Sequence, residues 1–428
     1  MFIINRVEIE GFWGKYKIAT DFHSDVNIFI GKNGTGKTTF INILSAVLKG
    51  DLKSLLLHDF QKITILLSDE DSKNRTISVT KIESAESSLQ NINYKIGTKS
   101  YKFTISAREV DMLARNLRRR SMIGDSLIEL EHEIAKLVNI SSLTVHRITF
   151  EYTEDDYRVG RRPEFVMPPI DQRLEELTQR LKGYQLTLAK QANEISSKLQ
   201  KEVLASILYN PDFDKFLINE SQIDLAKVKE ELSRAYKELG AFDNSTPKKI
   251  DEHINALSRS LDSILESRNS QSKNLRIDDI MPMSLLRRTQ HIIELSLNAE
   301  KEKQKVFELI DLFTQTIKSF MDDKDITMTP NGDLQITKEK KVINMSALSS
   351  GEKQLLILLI ETLLQKNAPF IFLADEPEIS LHIDWQSKII PSIKQLNTSA
   401  QVIVATHSPE IAAGGQDKVI DMEDIFHG

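Results

Sequence analysis

The 428-residue sequence predicts an α/β fold in which one sheet is assembled from two distant segments, with an α-helical, coiled-coil arm inserted between them. Three observations carry that expectation. VNIFIGKNGTGKTTFINIL, Val26 to Leu44, reads as a short buried strand, a glycine-rich loop and a helix with apolar residues at helical spacing. APFIFLADEPEISLHIDWQ, Ala368 to Gln386, holds a continuous apolar run, the pattern of a buried parallel strand, that ends in two carboxylates. More than three hundred residues separate the two, and apolar stripes at three- and four-residue steps fill much of that gap.

The first segment fits G-x-x-x-x-G-K-[ST], in the strand–loop–helix context in which that loop cradles phosphate. Gly31, Gly34 and Gly36 let the backbone turn so that successive amides, from Gly31 through Lys32, Asn33, Gly34, Thr35 and Gly36 to Thr39, point at phosphate oxygens. The helix N-terminus adds its positive dipole end. Lys37 supplies a point charge and Thr38 a hydroxyl for Mg²⁺. Just upstream, GFWGKYKI offers Phe12 and Trp13 as rings for a nucleobase to stack on; packing of one of them into the core is the competing reading.

From Asp171 the pattern turns helical. Leu174, Leu177, Leu181, Tyr184 and Leu188 step by three and four, and Ile195 lies one heptad beyond. A break falls at YNPDFD. Leu225, Val228, Leu232, Tyr236 and Leu239 mark a second helix stopped by Gly240, and Thr246-Pro247 starts a third that carries Ile250, Ile254, Leu257, Leu261 and Ile264 on one face. A fourth runs from about Met283 to Phe320. Such stripes predict interhelical packing or self-association, and at 1.5 Å per residue helices of about 40 residues reach only tens of ångströms.

Beyond the arm, ITMTPNGDLQIT reads as a hairpin, followed by SALSSGEKQLLILLIETLL. There Ser349, Ser350, Gly351 and Glu352 open a strongly apolar helix whose N-terminus is available to an anion. A second anion site on a chain that already has one is explained if it faces the nucleotide held by another copy. In the acidic strand, Asp375 is placed to hold Mg²⁺ through water, and Glu376 to act as general base toward an attacking water. A further apolar strand, QVIVAT, ends at His407, placing an imidazole where it can donate to a γ-phosphate.

The order GKNGTGKT, LSSGEKQ, LADEPEISLH, ATHS resembles the ATPase head of the ABC superfamily, in its SMC-like and OLD-like branch, over residues 1 to about 110 and about 325 to 420. The resemblance implies a P-loop head with a mixed sheet, flanking helices and an N-terminal antiparallel β subdomain. It implies domains at 1–150, 151–323 (the arm) and 324–428. Residues Gly31 to Thr38 would be the Walker A loop, Ser349 to Glu352 the signature turn, and Asp375 the Walker B aspartate. Glu376 would be the catalytic glutamate, His407 the switch histidine and Lys37 a further catalytic group. ATP and Mg²⁺ are the implied cofactors. Ser350 stands where a glycine is commoner, and His382 where transporters carry an aspartate; both are familiar in OLD-like proteins. Gln61, ahead of KITILL, comes too early for the Q-loop, whereas SLTVHR, Ser142 to Arg147, is where that branch places it.

Composition narrows the function classes. A net charge of −6 argues against a protein that coats nucleic acid, although Arg115, Arg118, Arg119 and Arg120, then Arg158, Arg161 and Arg162, form basic clusters with either a solvated or a phosphate-binding role. No cysteine is present, which excludes disulfides and thiolate metal sites. No apolar run approaches the roughly 18 residues of a membrane span, so a cytoplasmic protein without membrane contact is expected. OLD-like nucleases carry a TOPRIM domain after the head, and the sequence ends about twenty residues past His407, so a separate effector is expected. The leading reading is the sensor or scaffold ATPase of a two-component antiviral system, resembling AriA of PARIS and next PtuA of Septu, on the strength of RRPEFVMPPIDQRLEELTQRL at the arm entry. Its partners would be a second copy, head to tail, a TOPRIM-like or HNH nuclease and a phage trigger protein. The alternative is a DNA-repair or DNA-end-binding clamp.

Overall fold

A computed structural model describes residues 1–69, 71, 73–83, 89–106, 122–144, 168–206, 208, 224–269, 277–379, 381–413 and 415–427. The chain divides into two compact units, Met1–Lys182 with Leu312–Gly428, and Gly183–Asp311. Helical residues 169–182 and 312–318 belong to the first unit. Both basic clusters lie outside the described residues.

The first unit opens with β1 (Ile3–Phe12), β2 (Tyr16–Asp21), β3 (Val26–Ile30), α1 (Lys37–Lys49) and α2 (Leu52–Leu57). It continues with β4 (Lys62–Ser68), β5 (Asn74–Glu83), β6 (Leu89–Ile96), β7 (Lys99–Ser106), α3 (Met122–Leu137) and β8 (Ile140–Thr144). The helical segments are α4 (Pro169–Ala205), α5 (Leu225–Glu238), α6 (Thr246–Asn269) and α7 (Ile277–Lys318). After them come β9 (Asp325–Met328), β10 (Leu334–Lys338), β11 (Lys341–Ile343), α8 (Ser350–Leu364), β12 (Phe370–Asp375) and α9 (Ile383–Leu396). The chain closes with β13 (Ala400–Ala405), α10 (Pro409–Ala413), β14 (Val419–Asp421) and β15 (Phe426–His427).

Two sheets make the head, and their burial explains their sequences. One is antiparallel, in the order β15-β2-β1-β4-β5-β6-β7. β4 shows its logic: Ile63, Ile65 and Leu67 are fully buried while the residues between them are half-buried, the period of a strand with one covered face. The other is parallel, in the order β14-β3-β13-β12-β8. Here β13 is buried at every residue and β12 at all but its last, because both faces are covered, and so AQVIVA and FIFLA do not alternate. The hairpin expected at ITMTPNGDLQIT is β9-β10, extended by β11.

One core joins the two sheets through α1, where Phe40 packs on Phe29 with ring centroids 5.0 Å apart and on Phe22 at 6.5 Å. Full burial of each such ring is worth about 1.5–3 kcal/mol. Gln401, fully buried in β13, bridges the sheets: its Oε1 accepts from Ile4 N (2.8 Å), and its Nε2 donates to Ile4 O (2.7 Å) and His23 O (2.9 Å). All of its buried polar atoms are thereby paired, the condition under which a polar residue is tolerated in a core. On α8, Glu361 accepts from Ser141 (2.6 Å) and from Arg173 Nε (3.0 Å), and Lys353 lies 2.6 Å from Asp171. Helix α8 is therefore pinned twice to the first turns of α4.

In the second unit, α5 and α6 form a helical hairpin that packs Val228, Leu232 and Ala235 against Ile250 and against Ile293 of α7. Asp224 caps α5. Asp243 accepts from the amides and hydroxyls of Ser245 and Thr246 ahead of α6, and those bonds hold its carboxyl well below the usual carboxylate range.

Candidate nucleotide site

Three neighbouring strand ends build the site. β13 lies between β3 and β12, so the loops after Ile30, Ala405 and Asp375 leave the sheet side by side at its C-terminal edge. The ladder continues one bond past each strand: Thr406 N donates to Phe29 O (3.0 Å) and Glu376 N to Ala405 O (2.8 Å). Residues separated by more than three hundred positions thus meet because of parallel strand order.

In the first loop, Gly36 is the N-cap of α1 at φ 91°, with no side-chain cap. The position needs glycine twice over: φ is left-handed, and a Cβ would stand 3.0 Å from both the Phe12 and Trp13 rings. Lys37 is 5% exposed, and its Nζ donates to Gly31 O (2.7 Å) and Lys32 O (3.2 Å). Burial lowers its amine from the ordinary lysine value, while Glu376, Asp375, Asp421 and Glu378 act in the opposite sense. Thr35 Oγ1 donates to Lys32 O (2.9 Å), while the side chains of Lys32, Asn33 and Thr38 are open to solvent and Thr39 is half-buried.

Thr38 Oγ1 donates to Asp375 Oδ1 at 3.2 Å, joining the first loop to the acidic strand. Burial raises the Asp375 carboxyl above its usual range; Glu376 and Glu378 add to that, and the Thr38 hydrogen bond and Lys37 oppose it. Glu376 leaves the strand at φ 48°, a left-handed conformation costing a non-glycine residue about 1–3 kcal/mol. This turn brings Glu376 Oε1 to 3.8 Å from His407 Nε2, with both side chains about one-third exposed. The hydroxyl–carboxylate pair is the donor set of a magnesium site completed by phosphate and water, and the uncapped helix end with its buried lysine suits phosphate. The residues present therefore fit Mg²⁺-ATP.

Sequence reasoning missed Glu378. Its Oε1 accepts from Thr406 Oγ1 (2.5 Å), His407 N (2.9 Å) and Ser408 N (3.2 Å), so it holds the loop that carries the imidazole. Gln386 Oε1 accepts from Ser408 Oγ at 2.7 Å on the other side of that loop. The available signal was the second glutamate of DEPE, a carboxylate just past a strand end with no assigned task.

The two aromatic candidates separate. Phe12 is fully buried in the core. Trp13 is 38% exposed, stands against Gly36, and is itself held at φ 54° between two left-handed glycines. Phe426 of β15 supports it, at 6.2 Å between centroids. Gln61 packs against Gly11 and donates its N–H to Glu10 O. Thr144 of β8, by contrast, pairs with Asp375; residues 145–147 that follow lie outside the described residues.

Ser349, Gly351 and Glu352, at the start of α8, border a groove with Leu381, His382, Asp384 and Trp385. Ser349 caps α8 in a reciprocal box with Glu352: Glu352 N donates to Ser349 Oγ (3.3 Å) and Ser349 N to Glu352 Oε2 (2.8 Å). Glu352 also pairs with Lys324. The turn at Ser350 and Gly351 is thus braced by its own side chains. His382 caps α9, accepting from Asp384 N (3.4 Å), with its ring 65% exposed.

The chain is similar to several known proteins. The probable ATPase of retron Vc95 from Vibrio cholerae serotype O1 biovar El Tor is 24% identical over 393 residues, 84% of this chain and 70% of that protein. The probable ATPase of retron Ec83 from Escherichia coli is 34% identical over 105 residues, 22% of this chain and 18% of that protein. Among solved structures, the Smc head domain with an extended coiled coil bound to the C-terminal domain of ScpA, from Pyrococcus furiosus, aligns over 97% of this chain and 92% of that chain with a TM-score of 0.43 and 17% identity. A family profile described as an AAA ATPase domain, AAA_15, matches residues 1–412. The chain belongs to the AAA_15 family and is an ATPase.

Proposed function

We propose that the ends of β3, β12 and β13 form the ATP-hydrolysing site, with Gly31 to Thr39 around the phosphates and Trp13 against the adenine. The observation that carries this reading is the convergence of buried Lys37, the Thr38–Asp375 hydrogen bond and the Glu376–His407 pair on adjacent strand ends. Thr38 and, through water, Asp375 would hold Mg²⁺, which when bound neutralises charge on the β- and γ-phosphate oxygens. Glu376 orients the attacking water and takes its proton as the new P–O bond forms and the bond to the bridging oxygen breaks. His407 donates to the γ-phosphate, and Lys37 balances its charge. Ser349 to Glu352 serve the nucleotide of a second, head-to-tail copy.

At the level of the cell, we read the protein as the ATP-dependent sensor and scaffold of a two-component antiviral system, controlling a separate nuclease. The retron ATPases among its relatives support a setting of this kind. The finer likeness to the PARIS and Septu ATPases, a TOPRIM-like or HNH effector and a phage trigger belong to the same proposal. Among the described residues no helix is long and apolar enough to cross a membrane. Co-purification with the product of the neighbouring gene is expected in wild type and is expected to change with Lys37→Ala or Glu376→Gln. If the neighbour binds under no nucleotide condition and duplex DNA binds instead with a steep salt dependence, a DNA clamp is the better reading.

Trp13→Ala is expected to weaken ATP binding by about tenfold, the loss of one stacking contact worth about 1–3 kcal/mol, while kcat at saturating ATP stays near wild type. Only one other tryptophan, Trp385, is present, so intrinsic fluorescence of a Trp385→Phe chain reports Trp13 directly. Quenching by ATP is the expected result; an unchanged spectrum at saturation would put the base elsewhere.

A further inference from the structure

We propose that Glu378 is the positioning residue of this ATPase: one carboxylate oxygen gathers Thr406, His407 and Ser408 and so sets His407 opposite Glu376. The inference rests on the site reading above and goes beyond it, because it assigns the turn between the acidic strand and the histidine loop to a single side chain.

Oε1 alone takes all three donors, at 2.5, 2.9 and 3.2 Å. Ser408 N has a second acceptor in Thr406 Oγ1 at 2.9 Å, and Ser408 Oγ is held by Gln386. The amide of His407 has Glu378 as its recorded acceptor. The carboxylate therefore acts most directly on the residue whose imidazole stands 3.8 Å from Glu376 Oε1. Thr406 and Ser408 are both buried, so their half of the loop is fixed by packing, whereas the His407 side chain is 38% exposed and depends on its backbone for aim.

Oε2 is buried and has no hydrogen-bond partner among the described residues. A carboxylate kept for stability alone gains by pairing both oxygens, and a buried unpaired one is costly. Its charge is also felt at Lys37 and Asp375. Glu378 thus lies within electrostatic range of the phosphate lysine while hydrogen-bonding the histidine loop, and it sits two residues from the proposed base. A side chain so placed transmits to the histidine loop any shift of the turn that follows Asp375.

The test is a double-mutant cycle on kcat, with ATP affinity measured separately. Glu378→Ala is expected to lower kcat at saturating ATP by at least about tenfold and to leave ATP affinity within about threefold. On a His407→Ala background the same substitution is expected to cost less than about threefold, because the group it positions is gone. Glu378→Gln, which keeps an Oε1 acceptor for all three donors, is expected to recover a large part of the loss. Full multiplicative losses in the double variant, or equal losses in affinity and kcat, overturn the proposal. If His407→Ala alone turns over like wild type, the site reading fails first and leaves Glu378 nothing to position. Should Glu378→Ala melt before assay temperature, Thr406→Val takes its place in the cycle: it removes one donor at nearly constant shape, and its loss must likewise vanish on the His407→Ala background.

Discussion

Lys37→Ala is expected to weaken ATP binding by roughly 100-fold, whereas Glu376→Gln is expected to bind ATP as wild type does and to hydrolyse it on the order of 10²–10⁴-fold more slowly. Lys37 is a buried amine that now satisfies itself on two backbone carbonyls, and four carboxylates surround it. Its charge-assisted bonds to phosphate exist in the ground state as well as the transition state, so their loss appears as affinity, about 3 kcal/mol or roughly 100-fold. Glu376 acts on the water alone, and glutamine keeps its shape without its basicity. Its left-handed φ is retained by the surrounding sheet and requires no negative charge. Separate titrations and turnover assays decide the matter: equal loss of affinity in both variants would remove Glu376 from its assigned role.

The second large effect concerns pairing of chains. The start of α8, Ser349 to Glu352, borders a groove with His382 and Trp385, and under the proposed head-to-tail pairing its anion partner is expected to come from another copy. Ser349→Arg destroys the cap and its box with Glu352, at a local cost of about 0.5–2 kcal/mol, and puts a bulky cation at the turn. A Ser349→Arg homodimer and a Lys37→Ala homodimer should each be nearly inactive. Mixed at equal amounts they should regain up to about one quarter of wild-type activity, since half of randomly paired dimers are mixed and each keeps one of two sites intact. A mixture no more active than its parts would mean that each site is complete within one chain.

How much of this was legible before the structure depends on which residues carried a periodic signal. FIFLAD and AQVIVA read as buried strands because neither face of their sheet meets water, and the helices of the second unit announced themselves by three- and four-residue steps. GKNGTGKT stood out because a phosphate-binding loop would impose its glycines and lysine within one short run. What escaped was set by strand order. Glu378 and Gln386 acquire their tasks only because β13 lies beside β12, a neighbour relation that no local pattern encodes. Trp13 and Phe12 are adjacent in sequence and equally aromatic, and both rings border Gly36; with the left-handed turn at Trp13 its ring is 38% exposed while Phe12 is fully buried. The ties of Asp171 to Lys353 and of Arg173 to Glu361 escaped for a related reason: they join residues far apart in sequence within the first unit.

The most direct measurement is an experimental structure of Glu376→Gln with Mg²⁺-ATP. Lys37 should have left the carbonyls of Gly31 and Lys32 for the phosphates, Mg²⁺ should lie on Thr38 and face Asp375 through water, and Ser349 of a second copy should approach the γ-phosphate. Nucleotide bound away from the ends of β3, β12 and β13, or Lys37 still on its carbonyls with ATP in place, would contradict it.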